Sequence, residues 1–481
     1  MRTPPDQSYG YAHLERPAMG GKGTLLFSIA NAVNGGLVGA VGPSLPAFQA
    51  STGLGAAGLG RLILINRLSK LVGTFAWTAY AKQLINRGTA VPSPRLLLCM
   101  CMLMASASAA VIASPALRDS KLALQSALAF FGVSYGFTDP AFTLLTIWSL
   151  QDSARHQRTH VGYLNAGYTL GALVTPLIVA ALLSWGDGSC YPVFYIIAAA
   201  AAMAGLALMA SPVASHEGVS PPAAAEKAAS TPEGTPLQAK DRAAAVATDP
   251  WRDTIIVAGM SVILCCVTGC EHGVATWLPT FADHVGNVPV QTSAVISSAF
   301  WGGICAGRLL WAALSHTISS GWPVLAADGS LMLLSSFCFI GFAQFEESRH
   351  VWQLWAGALI MAAGFASSLP CAITMPSEAG VLITPGRLLA MNLAGSAGES
   401  LMPFIFGAAF ERGWYGAFGM LLAVLNVVVL SATALARATA LAPGGSPVEP
   451  LDNVEVELTP VAEGEGTPQA VSAPPSPGFQ R

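Results

Sequence analysis

Residues Asn165–Ile178 read NAGYTLGALVTPLI, and about 230 positions later Asn392–Ile405 read NLAGSAGESLMPFI. In both, a glycine (Gly171, Gly398) stands six residues after the asparagine, and a proline (Pro176, Pro403) follows five residues on. Two further pairs keep a similar offset: Leu45-Pro46-x-Phe48 with Leu278-Pro279-x-Phe281, and Gly136-Phe137…Pro140 with Gly364-Phe365…Pro370. One such match is weak in a chain with 49 Gly and 32 Pro. Three, in the order expected for segments 1/7, 5/11 and 4/10 of a duplicated chain, argue for an internal repeat.

A hydrocarbon core of about 30 Å needs about 20 apolar residues per helix. That ruler finds apolar segments at 24–48, 58–82, 95–115, 121–148, 160–184 and 190–211, then at 253–281, 292–316, 323–345, 351–376, 387–411 and 414–437. The expected fold is an all-α membrane protein of twelve transmembrane helices in two pseudo-symmetric six-helix halves. The expected domains are a cytosolic tail (1–23), the first half (24–211), a disordered cytosolic linker (212–250), the second half (251–440) and a disordered cytosolic tail (441–481). Linker and tail are rich in Ala, Pro, Ser, Thr and acids, and hold too little bulky apolar surface to pack.

Composition points the same way. Of 481 residues 53% are hydrophobic and 10% charged, and the mean hydropathy is +0.56. Soluble domains carry roughly 25% charged residues, so this surface meets lipid. A net charge of −3 gives no attraction to nucleic acid. No His-Glu-x-x-His and no paired aspartates at mid-depth suggest an enzyme. Eight of the nine cysteines lie in apolar runs, Cys190 being near a loop, and none has metal-ligand spacing. The expectation is buried small hydrophobes, no disulfide and no metal. The first 23 residues lack the short apolar core of a signal peptide, so segment one reads as an uncleaved anchor. About fifteen Lys and Arg gather on the side of the termini and linker, against four on the other (Arg118, Lys121, Arg349, Arg412). Both termini are therefore expected in the cytosol.

Ionised groups at membrane depth cost about 2.5–3.5 kcal/mol by insertion scales, so they normally face a bundle interior or cavity. Asp139, in Gly136-Phe137-Thr138-Asp139-Pro140, is a candidate proton or sodium site, or else a partner for an Arg of segment two. Glu271 could accept substrate hydroxyls or brace a neighbouring helix; His272 beside it reads as a packing residue. Glu399 shares a helical face with Asn392, seven residues before it. Arg67 and Lys70, at i and i+3, make a deep basic patch, and Arg61 can snorkel. Arg308 suits a salt bridge or gate. Trp77, Trp277, Trp301 and Trp311 lie deep, whereas Trp148, Trp185, Trp251, Trp322, Trp352 and Trp414 mark segment ends, as in an aromatic belt.

Gly42-Pro43-Ser44-Leu45-Pro46 resembles the segment-one signature of fucose-permease-like and sodium-dependent-glucose-transporter-like members of the major facilitator superfamily. Glu271-x5-Trp277, Phe300-Trp301-Gly302-Gly303…Gly307-Arg308 and the Leu164–Pro176 run resemble its helices seven, eight and five. The resemblance implies the major facilitator fold, and it puts Asp139 where fucose permeases carry a proton-linked carboxylate. Segment one departs from the pattern by having Asn31 and Asn34 and no acid, and Thr143 replaces the Asn four after the helix-four acid.

The expected function is secondary transport of a small polar solute, a sugar, by alternating access, with H+ or Na+ as the candidate coupling ion and no cofactor. Asp139, Glu271, Asn34, Asn165, Trp277, Asn392 and Glu399 are the substrate or coupling candidates; Arg67, Lys70 and Arg308 are the gating or salt-bridge candidates. The expected setting is a monomer in the plasma-membrane bilayer. Two rivals stay open: an exporter of amphipathic metabolites on the same fold, and a receptor or scaffold that transports nothing.

Overall fold

The computed structural model describes residues 21–87, 92–149, 154–185, 188–211, 250–314, 317–318, 320–347, 349–381 and 385–442. The expectations for most of the N-terminal tail, the linker from 212 to 249 and the tail from 443 onward lie outside the described residues.

Each apolar segment becomes one helix. The first six are α1 (Gly21–Thr52), α2 (Ala56–Arg87), α3 (Pro94–Ala113), α4 (Lys121–Ser149), α5 (Ala154–Trp185) and α6 (Pro192–Ala210). The second six are α7 (Pro250–Gly286), α8 (Val290–Leu314), α9 (Trp322–Gln344), α10 (Val351–Glu378), α11 (Pro385–Glu411) and α12 (Ala417–Ala440). Several outrun the apolar ruler, and Pro46, Pro140, Pro176, Pro279, Pro370 and Pro403 sit inside helices without ending them. Membrane helices tolerate this because neighbours re-satisfy the freed backbone groups. Ten of the twelve are long and apolar enough by themselves to cross a membrane. The two that fall short are α2 and α4, which carry Arg67, Lys70 and Asp139. Large apolar side chains such as Val72, Phe130, Leu206, Phe337 and Val424 are exposed along the spans, as a lipid-facing surface requires. The result is an integral, multi-pass membrane protein.

The repeat is visible in the packing. A Cβ on Gly171 of α5 would run into the Ala32 carbonyl of α1, and one on Gly398 of α11 would run into the Cys265 carbonyl of α7. Small residues let backbones approach closely in membranes, and here the same glycine does so in each half. Likewise Phe48 packs on Phe194 of α6, ring centroids 5.8 Å apart, and Phe281 on Phe418 of α12 at 4.6 Å. The third match shares sequence without sharing a role. Gly136 lies against Lys70 of α2, whereas Gly364 lies against Asp328 and Met332 of α9.

The halves meet along α1–α7, α2–α11 and α5–α8. At mid-depth Gly42 abuts the backbone of Ala275 and Thr276; toward the end of the bundle where α1 stops and α2 starts, Gly60 abuts Pro403 and Phe404. There the Ala57 amide donates to Glu411 (3.1 Å) and Gln291 Nε2 donates to the Leu183 carbonyl (3.4 Å). This end, opposite the one where α1 begins, is closed across the α2–α11 and α5–α8 seams, and the α1–α7 seam closes at mid-depth. All nine cysteines are free. Trp185, Trp251, Trp352 and Trp414 are exposed at helix ends as expected, but Trp322 is buried, because it packs into the core at the start of α9.

Candidate functional site

Arg67 lies eleven residues into α2 and Glu399 twelve residues before the end of α11. At 1.5 Å per residue both are roughly 16–18 Å from the sealed end, near mid-membrane. They meet across the halves. Arg67 Nη1 donates to Glu399 Oε1, and Lys70 Nζ donates to Glu399 Oε2 at 3.0 Å and to Oε1 at 3.3 Å. His272 of α7 closes the group, with Nε2 3.2 Å from Glu399 Oε1 and Nδ1 3.2 Å from Arg67 Nη2. Those partners fit the tautomer in which Nε2–H donates to the carboxylate and Nδ1 accepts from the guanidinium. His272 is thus a member of the charge cluster and not the plain packing residue that its sequence position suggested. The Lys70 ammonium also sits 4.3 Å from the centre of the Tyr135 ring, a favourable cation–π position.

A second pair lies beside the first. Arg308 of α8 reaches Glu271 Oε1 at 3.3 Å and Oε2 at 3.4 Å, so Glu271 braces α7 against α8. Both ion pairs are largely withdrawn from solvent: side-chain exposure is 6% for Arg67 and Glu399, 5% for Glu271 and 13% for Arg308. Pairs so buried demand near-complete hydrogen bonding to offset desolvation. One donor lacks it: Arg67 Nε has no partner among the described residues, and a small cavity bounded by Val38, Ile63, Asn66, Phe131 and Thr276 opens beside that side chain.

Asp139, half-buried on α4, forms no ion pair among the described residues; the alternative of a fixed partnership with an Arg of α2 is not what the structure shows. Asn34 of α1 is fully buried and donates to Thr138 Oγ1 at 3.1 Å, while its own Oδ1 has no partner among the described residues. Asn31 reaches the Leu164 carbonyl at 3.2 Å and so ties α1 to α5. Asn165 is half-buried, and its carbonyl accepts from Thr169. Asn392 is exposed on α11 and does not join the buried stripe of Glu399. Trp277 is fully buried, its Nε1 donating to the Pro403 carbonyl at 2.7 Å and its ring edge-on to Phe410. It locks α7 to α11 and offers no open face.

A second buried aromatic group joins other helices. Tyr135 of α4 stacks on Tyr168 of α5 (centroids 5.9 Å), and Tyr168 meets Trp301 of α8 edge-on at 6.0 Å. This ladder crosses from one half to the other, and Trp301 Nε1 is buried without a partner among the described residues. The two tyrosines went unread in the sequence; Tyr168 stands inside the repeated motif, which was the signal available. Asp328, the acid of α9, was also passed over, although an acid within an apolar segment is signal enough. Among the described residues no group of three or more His, Cys, Asp or Glu could hold a metal ion.

A model of the Major Facilitator Superfamily matches residues 27–380. The chain belongs to this superfamily. Membership makes it a membrane transporter and not an enzyme. Solved structures agree on the fold. A peptide transporter POT in complex with sulfate is similar with a TM-score of 0.62 at 15% identity, over 86% of this chain and 95% of that one. A variant of the nucleoside transporter NupG gives 0.61 at 14% identity, over 86% and 99%. A bacterial homologue of the human lysosomal transporter Spinster, inward-facing and unoccupied, gives 0.58 at 14% identity, over 87% and 95%. No curated protein matches the chain in sequence.

Proposed function

We propose that this transporter is a secondary-active carrier of a sugar, with H+ or Na+ as the coupling ion, working by rocking of its two halves. The observation that supports this most directly is the midplane assembly. A charge cluster that spans the halves adjoins an aromatic ladder; Trp301 Nε1 of that ladder is unpaired among the described residues, as is Oδ1 of Asn34, whose amide nitrogen reaches Thr138 of α4. A sugar presents hydroxyls to such polar groups and a carbon face to such rings, and leaving either unpaired in a dry site is costly. Asp139 is the coupling carboxylate in this reading. It lies three residues beyond Gly136, whose backbone touches Lys70, so an ion held at Asp139 alters the field on the cluster that joins the halves.

Within the superfamily, the Gly42–Pro46 and Phe300–Arg308 motifs favour the fucose-permease-like group. The distribution of Lys and Arg supports cytosolic termini, which would make the sealed end the outer one. A plasma-membrane monomer completes the reading. The test is uptake of labelled monosaccharides into proteoliposomes, with pH and Na+ varied separately. Accumulation that follows an ion gradient in the wild type, and loses that dependence in Asp139→Asn while exchange of sugar persists, is the expected result. Normal gradient-driven uptake by Asp139→Asn under all conditions rules out the coupling role. Movement of amphipathic metabolites with no sugar uptake turns the reading to an exporter.

A further inference from the structure

Away from the midplane cluster, α9 and α10 bury a carboxylate that has no cation beside it among the described residues. Asp328 is 5% exposed and lies six residues into α9, roughly 9 Å along the helix from its first residue. Ser367 Oγ stands 3.0 Å from Asp328 Oδ1 and 2.8 Å from Oδ2, and Ser368 Oγ stands 3.3 Å from Oδ2. Ser368 Oγ also contacts the Gly364 carbonyl. Both serines are buried, at 7% and 1% exposure. No Lys, Arg or His lies within ion-pair distance of Asp328 among the described residues. Nothing in the α7–α8 or α2–α11 charge pairs uses this group, so it is a separate feature of the second half.

We propose that Asp328, Ser367, Ser368 and the Gly364 carbonyl form a site for a monovalent cation, with Na+ as the ion. Four considerations converge on this. The donors are all hard oxygens, which suit alkali and alkaline-earth ions and not transition metals. One carboxylate balances one positive charge, whereas a divalent ion would leave the buried site charged. An uncompensated carboxylate at this depth is costly, and a bound cation removes that cost. Finally, the site lies about two turns from the start of α9, where Glu378, exposed at the end of α10, accepts from Ser320 Oγ (2.5 Å) and the Gly321 amide (3.0 Å). Because ligands come from two helices that cross closely at Gly364, Na+ in this site would clamp α9 to α10.

Equilibrium binding of 22Na+ to the purified full-length protein, in choline buffer without substrate, tests this independently of any transport reading. A saturable component of wild-type binding that is lost in Asp328→Asn and retained in Gly386→Ala, where an added Cβ meets nothing within 4 Å, is expected. Wild-type protein that binds no 22Na+ overturns the proposal, as does binding that is lost in Asp139→Asn and unchanged in Asp328→Asn. Should Asp328→Asn fail to fold, Ser367→Ala and Ser368→Ala carry the test, since each removes one oxygen and little volume. Weakened binding in both supports the site, and unchanged binding in both refutes it.

Discussion

Glu399 answers two cations and a histidine with one carboxylate, and this asymmetry makes it the residue on which the midplane depends. Removing its charge leaves Arg67 and Lys70 buried without an anion. Breaking a buried pair from one side typically costs about 3–5 kcal/mol, so Glu399→Gln is expected to lose stability on that scale in thermal or denaturant unfolding of the detergent-solubilised protein. Arg67→Gln on its own leaves Lys70 to satisfy the carboxylate and should cost less. In the double variant the two losses are expected to fall well short of their sum; simple additivity would show that the pair is not energetically coupled. At this scale the sequence was half legible. An ionisable residue inside an apolar run announces itself, and Arg67, Lys70, Glu271, Arg308 and Glu399 were all visible. Which acid meets which base was not, because the partners are up to 332 residues apart and periodicity along one helix carries no information about another. Asn392 shares a face with Glu399 by spacing, yet it is exposed, and His272, which reads as a packing residue, joins the cluster for the same reason in reverse.

At the scale of helices, glycine decides how closely α1 approaches α5 and α7 approaches α11. Gly171 and Gly398 face backbone carbonyls, which cannot rotate away as a side chain can. Gly171→Val and Gly398→Val are therefore expected to separate their helix pairs, with a penalty of at least the roughly 1–3 kcal/mol typical of overpacking, read as loss of the monodisperse peak in size-exclusion chromatography. Gly386→Ala, where the added Cβ meets nothing within 4 Å, serves as the contrast; that exposed helical position should gain a few tenths of a kcal/mol or stay neutral. A valine at Gly171 that leaves the protein monodisperse and as stable as before would dismiss the close-approach argument. The motif that revealed the repeat is thus the motif that packs it. The same reasoning explains the partial failure at Gly136 and Gly364, whose matching local sequence faces different neighbours.

The molecule as a whole is two six-helix sets joined by three seams and sealed at the end away from the start of α1. If the halves rock, that seal must part. A Cβ placed on Gly60 of α2 would lie 3.4 Å from the Phe404 Cα of α11, so the two backbones run close together at this seam. The double variant Gly60→Cys/Phe404→Cys is expected to cross-link under oxidant and to stop transport until reductant is added, whereas the single variants keep working. Full transport with the cross-link in place would show that this seam does not open. The sequence alone determined the class, the number of spans and the duplication, because the thickness of a bilayer and the cost of charge within it are written into composition and segment length. Only the tertiary structure decided which charges meet, that Trp277 is buried and bonded to Pro403, that Tyr135, Tyr168 and Trp301 form one aromatic ladder, and that Asp328 stands apart. Those outcomes depend on rotation and crossing of helices distant in sequence, and side-chain partners across such crossings are chosen by packing.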